Sequence, residues 1–388
     1  MNKTDGFLPL PTLLSHALVA FTMEFDNEFE HRMPHRTTES TPATDSDPPN
    51  AHRGPWLTSM AMWGNCMRFL DDSGMHVRDL EDLALTKTNL DGMRRWGYIK
   101  LSADPDDKRA KPPNEDLIIR PTRAGLAAQE VWRALVGEID RRWCARFGRG
   151  NVDQLRQALT TMVSHSRRPL PCCLPILGYG LWTSNKVLSK QSASSASSEV
   201  SISASAKQSS PIDVELPTLL ARALLGFAGA YERGSEVSLA IGANLLRVLN
   251  PDGLRVRDLP QVTGVAKPGI DMALGLLQKF DIVRAGANPD GSKWKVVQLT
   301  PLGIDVKQAH HERLAYVEQQ ARVRLGEAAV DALRNALEPL VGDPTGQRSP
   351  LYGGLAPYPD GWRARLREPN TLPHFPMVLH RGGYPDGS

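Results

Sequence analysis

A segment that occurs twice constrains this chain more than any other feature of its sequence. Residues 10–21 read LPTLLSHALVAF and residues 216–227 read LPTLLARALLGF, with eight identities in twelve positions. A second pair of segments, 65–80 and 244–259, shares Asn, Arg, Leu and Gly at the same spacing and ends in the same four letters, VRDL. Self-similarity of this kind is typical of a duplicated domain. We therefore interpret the chain as one domain present twice, and call the two parts the first and the second repeat.

The length of 388 residues accommodates two such domains with a linker and a tail. The predicted divisions are a first domain at 1–183, a flexible linker at 184–211, a second domain at 212–341 and a C-terminal extension at 342–388. The linker is predicted because residues 186–211 include eleven serines and almost nothing apolar. Residues 34–55, rich in Pro, Thr and Asp, predict an exposed and disordered loop. The extension is rich in Gly, Pro and aromatic residues, and its similarity to residues 167–182 predicts that it packs on the body.

Composition narrows the cellular setting and the partners. The formal net charge is +3, which is too small to indicate nucleic acid by itself. The four cysteines show no CxxC spacing, which favours a reduced, cytoplasmic protein with no metal or other cofactor: Cys66, Cys144, Cys172 and Cys173. The sequence shows no signal peptide and no apolar run long enough to cross a membrane. An argument for DNA must therefore come from local patterns.

The spacing of apolar residues predicts the same succession of elements in each repeat: four helices, a hairpin and two helices. In the first repeat the helices are predicted at 10–33, 56–70, 77–85, 86–96, 122–147 and 152–163, and the strands at 98–101 and 117–120. In the second repeat they are predicted at 216–232, 236–249, 256–263, 267–280, 301–325 and 327–341, and the strands at 282–285 and 294–299. The predicted fold class is mainly α with small β-hairpin wings.

Two short helices joined by a tight turn and followed by a hairpin are typical of a winged helix-turn-helix, in which the second helix enters a major groove and the wing contacts the backbone. The candidate DNA-binding residues of the first repeat are Lys87, Thr88, Asn89, Arg94 and Arg95 on the helix, and Lys108, Arg109 and Lys111 in the wing. Those of the second repeat are Lys267, Asp271, Gln278 and Lys279 on the helix, and Lys293 and Lys295 in the wing. For Arg94 and Arg95, a solvated helix end is an equal alternative.

Two motifs resemble those of the MarR family of winged-helix transcription regulators. Residues 104–110, DPDDKRA, are similar to the wing motif DPxDxR, and residues 299–303, LTPLG, are similar to the post-wing motif LTxxG. In the first repeat, residues 120–125, RPTRAG, hold the place of the second motif. The resemblance implies that Asp107 and Arg109 fix the wing and present a cation to DNA. It also implies a dimer interface made by the first and last helices, within one chain or between two, and a cleft for a small-molecule effector.

The two repeats depart from that pattern in different places. Between Leu80 and Trp96 the first repeat is four residues shorter than the second, about one helical turn at roughly 3.6 residues per turn. The second repeat keeps the length, but it has lost the charges of the DPDDKR segment. Neither repeat therefore carries the complete pattern of a DNA reader.

Several conspicuous residues have a structural explanation. Four tryptophans at helical positions next to Leu and Met are expected in the core: Trp63, Trp96, Trp132 and Trp143. The pair His310 and His311 has no carboxylate or cysteine at ligand spacing, so a solvated helix face is expected rather than a metal site. No set of nucleophile, base and acid is apparent, so we expect no enzyme.

Two functions from different classes stay open at this stage. The first is a regulator in which both repeats straddle double-stranded DNA, with response to a small-molecule effector. The second is a tandem winged-helix module for protein contacts that does not bind DNA. Because phosphate contacts release counterions, a steep loss of affinity with salt distinguishes the first from the second.

Overall fold

The computed structural model describes eleven segments of the chain, listed here by number: 8–33, 59–86, 90–95, 97–166, 170–172, 215–235, 237–265, 267–287, 294–342, 349–356 and 358–359. Within these segments the protein is mainly helical and contains two small antiparallel sheets of three strands. The coarse fold class, helix with minor strand, is therefore confirmed. The predicted loop at 34–55 and the predicted serine-rich linker lie outside the described residues.

The first repeat comprises α1 (Leu10–Arg32), α2 (Ser59–Asn65), α3 (Val77–Ala84), α4 (Leu90–Arg95), α5 (Arg123–Phe147) and α6 (Arg149–Ser164). Its strands β1 (Met75–His76), β2 (Ile99–Ser102) and β3 (Ile118–Pro121) lie in the order β1-β3-β2. The second repeat comprises α7 (Leu216–Glu232), α8 (Leu239–Val248), α9 (Leu259–Thr263), α10 (Lys267–Lys279), α11 (Pro301–Leu325) and α12 (Glu327–Val341). Its strands β4 (Leu254–Arg255), β5 (Val283–Ala287) and β6 (Lys295–Leu299) lie in the order β4-β6-β5.

Two features of the elements differ from the sequence prediction. The helix predicted at 56–70 is a short α-helix, α2, followed by a 3-10 turn at Met67–Phe69. Each sheet also has a third strand, β1 or β4, that was not predicted. Both strands are two residues long, too short for an alternating pattern to be read from sequence.

The last strand of each sheet leads into the long helix through the same local structure. The Oγ1 atoms of Thr122 and Thr300 accept hydrogen bonds from the backbone N–H of Gly125 and Gly303, at 3.1 and 2.9 Å. This caps the first turn of α5 and of α11. A Cβ atom at either glycine would stand 2.0 or 1.9 Å from a backbone carbonyl oxygen of the preceding strand segment. Close packing of helix on strand therefore explains the Thr-x-x-Gly motif in both repeats.

The two repeats share one hydrophobic core, and the helices that connect them make reciprocal contacts. Helix α1 packs on α12, and α6 packs on α7, while α1 also contacts α7 and α6 contacts α12. Trp63, Trp132 and Trp143 are buried in this core, as predicted, and Trp96 lies outside the described residues. None of the described helices is long and apolar enough to cross a membrane.

The segment that follows the last helix of each repeat contacts the first helix of the other repeat. After the first repeat, the carbonyl oxygen of Leu170 accepts a hydrogen bond from Arg222 of α7 at 3.1 Å. After the second repeat, the Tyr358 hydroxyl donates to Glu28 of α1 at 2.6 Å, and its ring stacks on His31 with centroids 3.7 Å apart. The described part of the C-terminal extension thus packs on the body of the protein.

Candidate functional site

Helix α10 of the second repeat presents one apolar face and one polar face. The side chains of Ile270, Ala273, Leu274 and Leu277 are buried. The opposite face exposes Lys267, Asp271, Gln278 and Lys279, the candidates predicted on this helix. Lys267 Nζ pairs with Asp271 at 2.5 Å. At the centre of this face lies Gly275, where an added Cβ would meet no atom within 4 Å. The polar face is therefore flat and open to a ligand surface.

The corresponding helix of the first repeat, α4, is described over six residues only. Arg94 is exposed and forms an ion pair with Asp91 at 3.3 Å. The other candidates on this helix, Lys87, Thr88 and Asn89, lie outside the described residues. The side chain of Arg95 lies outside the described part of the chain as well. This helix is also the part of the first repeat that is shortened.

The shortening is five residues rather than the four expected. In each repeat the segment ends at a residue with positive φ, Gly97 at 78° and Asp281 at 52°. From Leu80 to Gly97 is 17 residues and from Leu259 to Asp281 is 22, so the difference is 22 − 17 = 5. The prediction of four was therefore one residue short.

The wing of the first repeat is held by carboxylates around Arg109. Arg109 Nη2 lies 2.6 Å from Asp107 Oδ2 and 2.6 Å from Asp116 Oδ2. Asp116 also pairs with Arg78, at the start of α3. Arg109 hydrogen-bonds Asp107 and lowers the pKa of that carboxyl to about 2. Arg109 therefore stabilises the hairpin, and its charge is largely neutralised by the carboxylates of Asp107 and Asp116.

Two other cations of this wing are placed differently. Lys108 and Lys111 are exposed, and neither forms an ion pair within the part of the chain that the structure describes. Asp107 and Arg109 thus pair as the family resemblance implied, whereas the free positive charge of the wing belongs to the two lysines. Their charges point to a polyanionic partner better than that of Arg109 does.

The second repeat carries an aromatic residue at the position where the first repeat has the carboxylate of Asp116. Pairing of β1 with β3 sets Met75 opposite Ile119, and pairing of β4 with β6 sets Leu254 opposite Val297. Counting back three residues, Trp294 takes the place of Asp116. Arg257, in the same VRDL motif as Arg78, lies over the Trp294 ring with its guanidinium carbon 3.9 Å from the centroid. Of the predicted wing cations, Lys295 is exposed and Lys293 lies outside the described residues.

A second difference lies in the interior, where each repeat has an arginine at or just after the end of its second helix. Arg68 Nη2 contacts both carboxylate oxygens of Glu215, at 3.0 and 2.8 Å, and so joins the first repeat to the start of α7. The equivalent arginine is Arg247, and the residue equivalent to Glu215 is Pro9. Among the described residues no carboxylate pairs with Arg247, whose Nη2 donates to the Thr263 carbonyl at 3.2 Å. Burial lowers the pKa of Arg247 to about 10.

Two histidines lie close to this unmatched arginine. His16 of α1 and His310 of α11 are both buried, and the Nε2 atom of each has no hydrogen-bond partner. Burial first, and then the charge of Arg247, lowers the pKa of His16 to about 3. Burial, followed by the charges of His311, Lys307 and Arg247, lowers the pKa of His310 to about 3. The Nε atom of Arg247 and the Nε2 atoms of the two histidines are thus buried polar atoms without a hydrogen-bond partner in the described structure.

The prediction of a solvated face for both histidines was wrong for His310. Its Nδ1 atom forms a hydrogen bond of 2.7 Å with the hydroxyl of Tyr231, inside the second repeat. Only His311 is exposed. His310 stands where the first repeat has Trp132, as counting seven residues from Gly303 and from Gly125 shows. An internal comparison of the repeats could have indicated its burial.

Sequence reasoning missed four residues that define these two sites: Asp116, Trp294, Arg247 and His16. For Asp116, Trp294 and His16 the signal was a mismatch between equivalent positions, and for Arg247 it was the mismatch of its neighbour Pro9 with Glu215. In the described segments no group of three or more His, Cys, Asp or Glu side chains is arranged to hold a metal ion. No family model matches the chain, and neither a curated protein nor a solved structure shows significant similarity to it.

Proposed function

We propose that the protein is a cytoplasmic DNA-binding transcription regulator, without enzymatic activity, whose two winged helix-turn-helix repeats form a pseudo-dimer within one chain. The observation that carries the proposal is the reciprocal packing of α1 on α12 and of α6 on α7. Two copies related by a twofold axis exchange contacts in this way. Twofold pairs of helix-turn-helix units address two half-sites on duplex DNA.

The two repeats have different roles in this proposal. Helix α10, 13 residues long, enters a major groove with its polar face, and the missing side chain at Gly275 allows close approach to the bases. In the first repeat Lys108 and Lys111 contact phosphates, while Arg109 keeps the wing rigid. The second repeat thus supplies most of the base contacts and the first supplies charge.

The effector of the regulator is proposed to be a small anion that binds beside Arg247. The support is chemical: a partly buried arginine that has no carboxylate partner among the described residues and whose Nε atom is buried without a hydrogen-bond partner, and two histidine Nε2 atoms that also lack one. Unpaired buried donors are costly, and an anion that accepts from them removes that cost. Because His16 belongs to the first repeat and Arg247 to the second, such a ligand fixes the two repeats relative to each other.

A protein-binding module is the alternative, and one observation favours it. Six of the seven large apolar side chains that the described residues expose belong to the second repeat: Phe280, Trp294, Leu302, Ile304, Tyr316 and Val323. Leu302, Tyr316 and Val323 are separated by seven, fourteen or twenty-one residues on α11, so they share one face of that helix. A partner helix would cover such a face.

The deciding experiment is capture of fragmented host genomic DNA on the purified protein, followed by sequencing of the retained fragments. We expect a small set of enriched sequences whose binding weakens steeply as salt rises. Gly275→Glu places a negative charge on the polar face of α10 without steric cost, and it should abolish the enrichment. The matched control is Gly137→Glu on α5, an exposed helical glycine that also has open space around it.

Each result bears on one of the two functions. Loss of enrichment with Gly275→Glu, but not with Gly137→Glu, supports the regulator. If no duplex DNA is retained even at low salt, the regulator is refuted and the protein-binding module is favoured. If both glycine variants retain DNA as the wild type does, α10 does not read it.

A further inference from the structure

A cavity of about 350 Å³ opens at the base of the second-repeat sheet, beside the polar face of α10. It lies between the segment that leads into α9, the first turns of α10 and the start of β6. Ligand-binding cavities in proteins have volumes of roughly 300–1,000 Å³, so this one suits a small ligand.

The walls of the cavity are apolar and partly flat. Val256, Pro260 and Ile270 form one side, and the indole of Trp294 forms another. Trp294 remains 45% exposed, although the guanidinium of Arg257 lies over its ring. Exposed indole and guanidinium planes are the surfaces on which proteins stack unpaired nucleic-acid bases. The shape therefore selects a planar aromatic group.

The charges around the cavity select an anion. Three cations line it, Arg257, Lys267 and Lys295, against one lining carboxylate, that of Asp271. Arg257 also pairs with Asp258 at 3.4 Å, so the balance with both carboxylates counted is 3 − 2 = +1. Asp271 is already paired with Lys267. Lys295 forms no ion pair with any residue that the structure describes. A ligand that carries both an aromatic ring and a negative charge matches the apolar walls and the cations that line the cavity.

The first repeat has paired charges at the equivalent place. There Asp116 stands where the second repeat has Trp294, and it pairs with both Arg78 and Arg109. The guanidinium of the VRDL motif is present in both repeats, and in the second it stacks on an aromatic ring beside an open volume. The aromatic wall of the cavity is thus a feature of the second repeat.

We propose that this cavity binds a nucleotide, with its base stacked on the Trp294 ring or on the Arg257 plane and its phosphate near Lys267 and Lys295. The nucleotide is either a free mononucleotide or an unpaired nucleotide of a nucleic-acid strand. The two sources share one chemistry, and the experiment below separates them. Binding at this cavity does not require that the protein bind duplex DNA.

The test is calorimetric titration of the full chain with AMP, with inorganic phosphate and with a short single-stranded oligonucleotide that contains 2-aminopurine. Stacking of one base on an aromatic side chain contributes about 1–3 kcal/mol, so Trp294→Ala should weaken AMP binding about 10-fold. Trp294→Phe should keep most of the affinity. Phe280→Ala, which removes another exposed aromatic ring of the second repeat, is the matched control and should change nothing.

The titration with the oligonucleotide distinguishes a free nucleotide from an unpaired nucleotide of a nucleic-acid strand. Binding of the strand at least as tightly as AMP, with quenching of 2-aminopurine that is lost in Trp294→Ala, assigns the cavity to nucleic acid. Binding of AMP alone assigns it to a free nucleotide. The proposal is overturned if neither ligand binds, if inorganic phosphate binds as tightly as AMP, or if Trp294→Ala binds as the wild type does.

Failure here is distinguishable from failure of the proposed regulator. Duplex binding that survives Trp294→Ala, with no binding of AMP or single strand, leaves the regulator intact and removes the nucleotide site. Nucleotide binding without any duplex binding supports the nucleotide site and refutes the regulator. Since Trp294 is nearly half exposed, its replacement should not unfold the protein, and a thermal melt verifies this.

Discussion

The two repeats place the same arginine at the base of their sheets but give it different neighbours. In the first repeat, Arg78 and the wing residue Arg109 share the carboxylate of Asp116, which closes the base of the hairpin with ionic contacts. In the second, Arg257 stacks on Trp294 beside an open cavity. In the first repeat these charges pair with one another and hold the wing. In the second repeat the arginine borders a cavity that is open to a ligand. The two repeats therefore share this arginine and the strand pairing beside it, but they differ in the side chains that surround them.

In the interior the two repeats differ in a similar way, because an arginine is paired with a carboxylate in the first repeat and not in the described part of the second. Glu215 neutralises Arg68, whereas Pro9, at the equivalent position, leaves Arg247 without a carboxylate among the described residues. Both residues precede the first helix of a repeat in a similar extended conformation, with φ of −55° and −62°. The asymmetry is thus one of side chains, and single substitutions can exchange it. The predictions below use this property.

The largest effect is expected from acid, through the two buried histidines. His16 and His310 have pKa values of about 3 in the folded protein against 6.5 in a free side chain. Between these values the unfolded chain binds more protons, so stability is complete above about pH 6.5 and is lost as the pH falls. At pH 5 the loss is about 2 kcal/mol for each histidine, at about 1.4 kcal/mol per pH unit.

Urea unfolding at pH 7.5 and pH 5 measures this loss. In the double variant His16→Gln, His310→Gln the stability should fall much less between the two pH values. The exposed His311 supplies the control, since His311→Gln should leave the difference as it is in the wild type. An equal pH dependence in the wild type and the double variant would show that the two histidines are not held neutral.

A smaller effect is expected from the arginines, and it should differ between the repeats. The side chain of Arg68 is only 5% exposed, so Glu215→Ala leaves a charge in the interior without its partner. Removal of one member of a buried pair costs about 3–5 kcal/mol, and the partial exposure of Glu215 reduces our expectation to about 2 kcal/mol. Arg247→Met removes a buried charge that has no carboxylate partner in the described structure, so it should be neutral or stabilising. Equal losses for both variants, measured by urea unfolding, would contradict the comparison.

A gain of about 1 kcal/mol is expected when the missing carboxylate is supplied. Pro9→Glu places a glutamate where the second repeat has Glu215, in a backbone conformation that glutamate already adopts there. The variant should melt at a higher temperature than the wild type. It should also lose any stabilisation that small carboxylates or inorganic phosphate give the wild type, because the new side chain fills the proposed anion site. Pro9→Gln, of the same shape without the charge, is the control.

How far the sequence could predict this molecule depends on whether the signal is local. The long helices were predicted almost to the residue because their apolar spacing and their Thr caps lie in the segment itself. The reciprocal contact of α1 with α12 joins residues more than 300 positions apart, and no local pattern specifies it. The alignment of the repeats did indicate which helices are equivalent.

The sites were harder to predict than the fold for a related reason. Glu215 and Pro9 stand next to the most similar segment of the chain, yet their importance depends on Arg68 and Arg247 reaching them from other helices. Trp294 and Asp116 are equivalent only through the register of the strands, because the wings differ in length. His310 was assigned to a solvated face because no metal-ligand spacing surrounds it, whereas its partner Tyr231 comes from another helix of the same repeat.

The smallest effect is expected in the wing of the first repeat, and it tests whether that repeat contributes charge. Each phosphate contact changes the slope of log affinity against log salt by about 0.9 in duplex DNA. Lys108→Ala and Lys111→Ala should therefore each flatten the slope by about one unit, with little change in sequence preference, because neither lysine is engaged within the described protein. Arg109→Lys should act differently: it removes the contacts to Asp107 and Asp116 and loosens the wing. Arg324→Ala, at an exposed cation near the end of α11, is the control. Fluorescence anisotropy with a captured duplex from 50 to 200 mM salt gives these slopes, and wild-type slopes in both lysine variants would remove the first repeat from the DNA interface.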